Sequence, residues 1–274
     1  CTAMHLAEAT GLHHEMDSIN ITLTAPPSQH LMASRKGCEQ ARRIFWIAWM
    51  INAMISYEYG RSSVVLQSIT SKLPHPQSNP DSSIINLISV AQLVPRYVPD
   101  RNQSPDLPNT LTKLLQIPDS HPFISMSKGD LCMSLYRHAR LLKQPLEKRD
   151  VQSIIIIGNN AVTASSSLAA EQKYWWNVIC SVFQYVCVLL ALDTSESLSN
   201  VSSAMGALDK IASDLNTHMA KEAANTAKVL LRDSMRKKRR EVELLEAADK
   251  GAEIADEQMV EMADINWDAL LDPW

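Results

Sequence analysis

The chain has 274 residues, 46% of them apolar, a formal net charge of −4 and only 7 glycines, enough to bury a full core in one large or two ordinary domains. That near-neutral balance argues against a chain whose main task is holding nucleic acid, because such domains normally carry a clear basic excess. Five scattered cysteines, Cys1, Cys38, Cys132, Cys180 and Cys187, include no Cys-x-x-Cys pair, which argues for reduced, buried thiols over a disulfide framework or a structural zinc site. The sequence opens on Cys in helix-like sequence without a signal peptide, so the expectation is a piece of a longer protein.

Residues 2–12 read as the end of a helix, with Met4, Leu6, Ala7 and Leu12 apolar and Gly11 as its stop. The stretch to Gly37 holds Pro26, Pro27 and several Ser and Thr, the chemistry of a connection. Residues 41–62 follow: no charge lies between Ile44 and Tyr57, and bulky apolar side chains fall on every side of a 3.6-residue period, which predicts a central helix buried all round. Gly60 supplies the left-handed residue that commonly follows a helix.

Nine of the 13 prolines then fall between Pro74 and Pro122, so that zone cannot be one continuous helix. One helix is expected inside it: Ser78 or Asn79 as cap, Pro80 at the first position, then Ile84, Ile85, Leu87, Ile88 and Ala91 at helical spacing. Residues 95–108 read as a surface loop or disordered insertion. Residues 130–143 predict an amphipathic helix with a basic last turn, stopped by Pro145. The β-branched run at 153–158 fits a buried strand locally, but Asp150 as cap and the alanine-rich continuation to Ala170 favour helix.

Residues 174–192 carry no charge over nineteen positions, close to the roughly 20 that span a bilayer. The polar stripe Asn177, Ser181 and Gln184 argues for a packed helix or the wall of a ligand cavity and against a membrane. A helical pair over 196–215 and 218–248 completes the domain, the second carrying RKKRR: Arg236, Lys237, Lys238, Arg239 and Arg240. That cluster fits a nuclear-import signal, while Glu241, Glu243 and Glu246 make a solvated, salt-bridged helix face the plainer reading. From Gly251 onward seven acids and no Lys or Arg alternate with Ile265, Trp267, Leu270, Leu271 and Trp274, the composition of a disordered activation segment that folds onto a partner groove. An acidic terminus that folds back on its own domain is the alternative.

No nucleophile elbow, phosphate-cradling glycine loop or His-Glu-x-x-His motif is present. His13, His14 and Glu15 are a tight cluster, but adjacent residues diverge around a helix, so surface or packing roles outweigh metal ligation. Arg42, Arg43 and Arg61 read first as pins of the central helix and second as an anion clamp. Trp46, Trp49, Trp175 and Trp176 read first as core and second as the walls of a cavity between helices.

The wording of residues 42–61 resembles the middle homology region of fungal zinc-cluster transcription factors, in which Arg-Arg-x-Phe-Trp leads through an apolar helix to Gly-Arg-Pro. The matching residues are Arg42, Arg43, Phe45, Trp46, Gly60 and Arg61, with Ser62 where the pattern has proline. AEATGLHHE at 7–15 resembles an upstream element of that family, and RLLKQPL at 140–146 and Trp175-Trp176 resemble later positions more loosely.

The chain reads as an all-α, irregular multi-helix domain over residues 1–230, followed by a basic helix at 231–250 and an acidic-aromatic, disordered or marginally helical tail at 251–274, and the resemblance implies that the first of these is the family's regulatory domain. It implies a nuclear protein acting on RNA polymerase II genes, with coactivator or co-repressor partners, a small-molecule effector, a homodimer as a candidate state, and no membrane. The six-cysteine, two-zinc cluster that contacts DNA would lie N-terminal to this chain, which itself would hold no cofactor and no metal. A helical interaction scaffold and a helical enzyme with an unrecognised site are the competing classes.

Overall fold

The computed structural model describes residues 2–15, 30–75, 83–95, 106–173, 175 and 177–256, and of residues 30–36, 83 and 250–256 the backbone alone. The expected cap at Ser78, Asn79 and Pro80, Trp176, and the tail positions Ile265, Trp267, Leu270, Leu271 and Trp274 lie outside the described residues. Within them the regular structure is helical throughout: α1 Thr2–Ala9, α2 His30–Glu58, α3 Ser83–Gln92, α4 Leu107–Gln116, α5 Pro122–Leu141, α6 Lys148–Ala170, α7 Asn177–Leu192, α8 Ser195–Leu215 and α9 His218–Asp256. The fold is all-α, as expected.

The buried centre is α5, which packs against α2, α3, α4, α6 and α7. It starts at Pro122, about two turns before the expected Asp130: His121 is the cap, its ring Nδ1 accepting from the Phe123 amide at 3.1 Å, and Pro122 fits a position whose N–H has no helical partner. Its polar residues conceal how buried it is. Ser125, Ser127, Lys128, Asp130 and Ser134 are all inside, whereas from Leu131 on the helix is amphipathic as read, with Leu131, Leu135 and Tyr136 buried and Arg137, Arg140 and Lys143 exposed; Leu142, 41% exposed, is the exception. Lys128 is satisfied there by the Ile117 carbonyl and the Asp119 carboxylate, both at 2.8 Å from Nζ, as a buried ammonium requires.

Helices α5, α6 and α7 come together closely because two glycines leave room. A Cβ on Gly129 would run into the Ala161 side chain, and one on Gly158 would run into the Tyr185 ring. Tyr185 is fully buried against that gap and its hydroxyl lies 2.9 Å from Asn159 Oδ1. The strand alternative for 153–158 is excluded, since these residues lie mid-α6. Asp150 does act at the start of α6, but from inside: the helix begins at Lys148, and the Asp150 carboxylate accepts from the Glu147 amide at 3.1 Å. Helix α6 is long and apolar enough to cross a membrane by composition, yet it packs against α4, α5, α7 and α8 as a core helix. Helix α7 has 16 residues, short of a bilayer's thickness.

Helix α2 is two-sided, which corrects the expectation of burial all round. Cys38, Arg42, Phe45, Trp46, Met50 and Asn52 face inward, whereas Ile44 is 57% and Ile47 41% exposed. It ends as its sequence predicts. Gly60 has φ 60°, and the Arg61 amide returns to the Ser56 carbonyl at 2.8 Å. Helix α4 lies in the proline-rich zone where a single helix was expected: Asp106 caps it through the Asn109 amide at 3.1 Å, and Leu107, Leu111 and Leu114 are buried.

The chain divides into two compact units, Cys1–Ala227 and Lys228–Trp274. The start of α9 belongs to the first and buries Ala220, Ala224 and Ala227. Taken by itself, the second unit is helical to Asp256, with Met235, Val242, Leu244 and Leu245 exposed. Its charges pair along the helix, Lys237 with Glu241 at 3.6 Å, Lys238 with Glu241 at 3.2 Å and Arg236 with Asp233 at 3.0 Å.

Candidate functional site

The Arg-Arg-x-Phe-Trp residues sit one turn apart on α2 and reach two segments of chain that have no helix of their own. Arg42 donates from Nη2 to Glu15 Oε1 at 2.5 Å, and both side chains are buried. The second Glu15 oxygen accepts from the Lys72 amide at 2.9 Å, and the Glu15 amide donates to Thr70 Oγ1 at 3.0 Å. The His13 carbonyl accepts from the amides of Thr70 and Ser71, each at 3.0 Å. Among the described residues no group of His, Cys, Asp and Glu could hold a metal; here the 13–15 cluster fastens residues 70–72 to α2.

The same helix fixes the rest of residues 61–75 with side chains. Trp46 Nε1 donates to the Lys72 carbonyl at 2.9 Å, Arg43 Nη2 to the His75 carbonyl at 3.1 Å, and Glu39 accepts from the His75 amide at 3.0 Å and from Arg43 Nε at 3.1 Å. Asn52 bonds both the amide and the carbonyl of Val64, at 3.3 and 3.0 Å. A segment without regular structure has no ladder for its backbone polar groups, and here α2 supplies partners from positions 39, 43, 46 and 52. Beneath them Phe45 and Trp46 join Met4, Ala7, Leu66, Ile84 and Ile88 in one apolar cluster, with Trp49 packed against it.

The tryptophans do not converge. Trp46 and Trp49 stand edge to face at 5.3 Å within the α1–α2–α3 cluster, whereas Trp175, 39% exposed, stands edge to face with Phe123 at 4.3 Å. Arg61 is exposed beyond the end of α2. Two shallow depressions, of about 250 and 280 Å³, are lined by residues such as Tyr136, Arg140 and Leu146 and by Leu107, Pro108 and Asp150, and none of these arginines or tryptophans borders either.

A second polar arrangement joins the end of α2 to α5 and α7. Asp130 Oδ2 accepts from Asn177 Nδ2 at 3.0 Å, and the Ser181 hydroxyl sits against Asp130 Oδ1 while lying 2.8 Å from the Asn177 carbonyl. Further along α7, Gln184 Nε2 donates to Glu58 Oε1 at 3.0 Å. Tyr57 stacks on His138 at 6.1 Å, and Arg137 donates to Ser134 at 2.9 Å. Asn177, Ser181 and Gln184 are the stripe read from the sequence; its partners Asp130 and Glu58 were not identified there.

Burial pushes the Asp130 carboxyl up to about 7, against the lowering effect of the hydrogen bonds from Ser181 and Asn177. The proton count agrees. Ser181 has one proton and two acceptors; if it donates to the Asn177 carbonyl, a neutral Asp130 donates to Ser181 in turn. Burial also raises Tyr57 to about 12 and pushes Cys180 up, the latter helped by Glu58 and Asp130. Tyr57 Oη, Asn177 Oδ1 and Gln184 Oε1 are buried without a hydrogen-bond partner among the described residues. The seam is therefore an under-satisfied, titratable contact between three helices.

No protein-family model and no solved structure matches the chain. Over its whole length it is 46% identical to Protein RDR1 of Saccharomyces cerevisiae, covering 49% of that protein. It is 33% identical over 89% of its length to transcription factor kojR of Aspergillus flavus, and equally to that of Aspergillus oryzae, covering 43% of each. The chain thus spans a little under half the length of these relatives, and it is similar to fungal proteins that include transcription factors.

Proposed function

We propose that this chain is the regulatory part of a fungal zinc-cluster transcription factor and works in the nucleus on RNA polymerase II genes. It regulates and does not catalyse. The observation that carries the reading is the similarity to kojR, named as a transcription factor, across 89% of the chain. DNA recognition and its zinc belong, on this reading, to a part of the parent protein outside these residues, and coactivators or co-repressors are the partners of this part. The motif residues Arg42, Arg43 and Trp46 hold the domain's frame, a role their bonds to Glu15, Glu39, Lys72 and His75 support, and Trp49 packs against the cluster beside them.

Sensing falls to the seam of Glu58, Asp130, Asn177 and Gln184. An effector that binds one arrangement of α2, α5 and α7 better than another shifts the population between them, and by no more than that difference in affinity. The acidic-aromatic residues Ile265, Trp267, Leu270, Leu271 and Trp274 form the activation segment, and Arg236 to Arg240 the import signal. The test deletes residues 1–227 from the parent protein in its host, which leaves Arg236 to Arg240 and the acidic tail in place, and measures DNA occupancy and transcripts together. Retained occupancy with altered transcription of the occupied genes is expected. Unchanged transcription at retained occupancy would sink the regulatory reading.

A further inference from the structure

Past Ala227, α9 carries an apolar stripe that its own unit leaves open. Leu231, Met235, Val242 and Leu245 recur at spacings of four, seven and three residues, with Lys238 and Asp249 completing the heptad pattern. Met235 is 47%, Val242 51% and Leu245 71% exposed. The charges beside the stripe divide by position: residues 228–240 hold seven Lys or Arg against Asp233 alone, while residues 241–249 hold four acids and no base. A helix basic in one half and acidic in the other complements itself when reversed.

We infer that α9 is a self-association surface, on which a second copy of this chain packs antiparallel to form a two-stranded coiled coil. Heptad geometry then fixes the register. With the two-fold axis between residues 243 and 244, Val242 of each copy meets Leu245 of the other, Lys238 meets Asp249, and Arg239 flanks Glu246. The parallel alternative sets Lys238 against Lys238 and Asp249 against Asp249 in the core, and Glu241 beside Glu246, all like-charged. Sliding the antiparallel pair by one heptad sets Arg239 against Arg239 and Glu241 against Glu241 in one direction, and Glu246 against Glu246 in the other. Opposite-charge pairs at the flanks set partner and orientation in such helices, so the sequence disfavours both alternatives. The inference concerns the second unit alone and does not depend on the transcriptional reading.

Sedimentation velocity of the full 274-residue chain over a wide concentration range tests it. Wild type is expected to show a monomer–dimer equilibrium that weakens with added salt. Arg239→Glu and Glu246→Arg, both at exposed helix positions, each create two repulsive pairs and should be monomeric where wild type is dimeric. Mixed in equal amounts they should recover a dimer, because each copy then offers the charge the other lacks. A wild-type chain that stays monomeric at every concentration, for example because its acidic C-terminal residues cover the basic half, overturns the proposal. So does a dimer that survives in both single variants, or a mixture that fails to recover one.

Discussion

Replacing Asp130 by Asn isolates the cost of burying a carboxylate in the α2–α5–α7 seam. The folded chain holds the Asp130 proton up to about pH 7, whereas the reference value is 3.8. The unfolded chain therefore loses its proton first. As pH rises between those two values the unfolded state gains the advantage, so this group's contribution to stability is greatest in acid and falls until it levels off above the folded value. A difference of about 3 pH units at about 1.4 kcal/mol each gives about 4 kcal/mol lost in full. Asn reproduces the neutral form: its Oδ1 accepts from Asn177 and its amide donates to Ser181, so the seam's bonds survive. Urea unfolding of both proteins should show Asp130→Asn more stable, by a margin that widens by about 2 to 3 kcal/mol between about pH 5 and about pH 8. Parallel pH profiles, or a variant less stable at every pH, would refute the assignment of that proton.

Glu15→Gln keeps the shape but removes the charge facing buried Arg42, and a cost of about 1 to 3 kcal/mol is expected in urea unfolding, since a charge-assisted bond becomes a neutral one while Arg42 keeps Glu39 at 3.5 Å. Gly158→Ala drives a Cβ into Tyr185 and should lower thermal stability by about 1 to 3 kcal/mol. Gly206→Ala, whose added Cβ meets nothing within 4 Å inside α8, should raise it by up to about 1 kcal/mol; equal effects from the two glycines would contradict the packing described for α6 and α7.

Local signals in the sequence were legible where chain geometry alone decides the outcome. Gly60 ends α2 as a left-handed residue, Gly11 does the same after α1, and α7 and α8 match their apolar periods. Burial was harder to read, because it depends on partners distant in sequence. Ile44 and Ile47 look like core residues but face solvent, whereas Ser125, Ser127, Lys128 and Asp130 look like a surface and lie inside α5. Helix α4 was legible after all: Asp106 as cap and leucines at 107, 111 and 114 are a helix signal, outweighed in the reading by the surrounding prolines. For the candidate sites, the Arg42 and Trp46 motif and the Asn177 stripe were visible as patterns. Glu15 was visible in the 13–15 cluster but not its pairing with Arg42, and Glu58 and Asp130 were not visible, because a single acid has no sequence signal until the fold brings its partner to it.

The regulatory account is tested most directly by a reporter gene with two fusions to an unrelated DNA-binding domain: residues 251–274 alone, and the whole chain. The account predicts that the tail alone activates, that changing Trp267, Leu271 and Trp274 to alanine abolishes this, and that residues 1–250 restrain the tail in the whole chain. Silence from both fusions would contradict it.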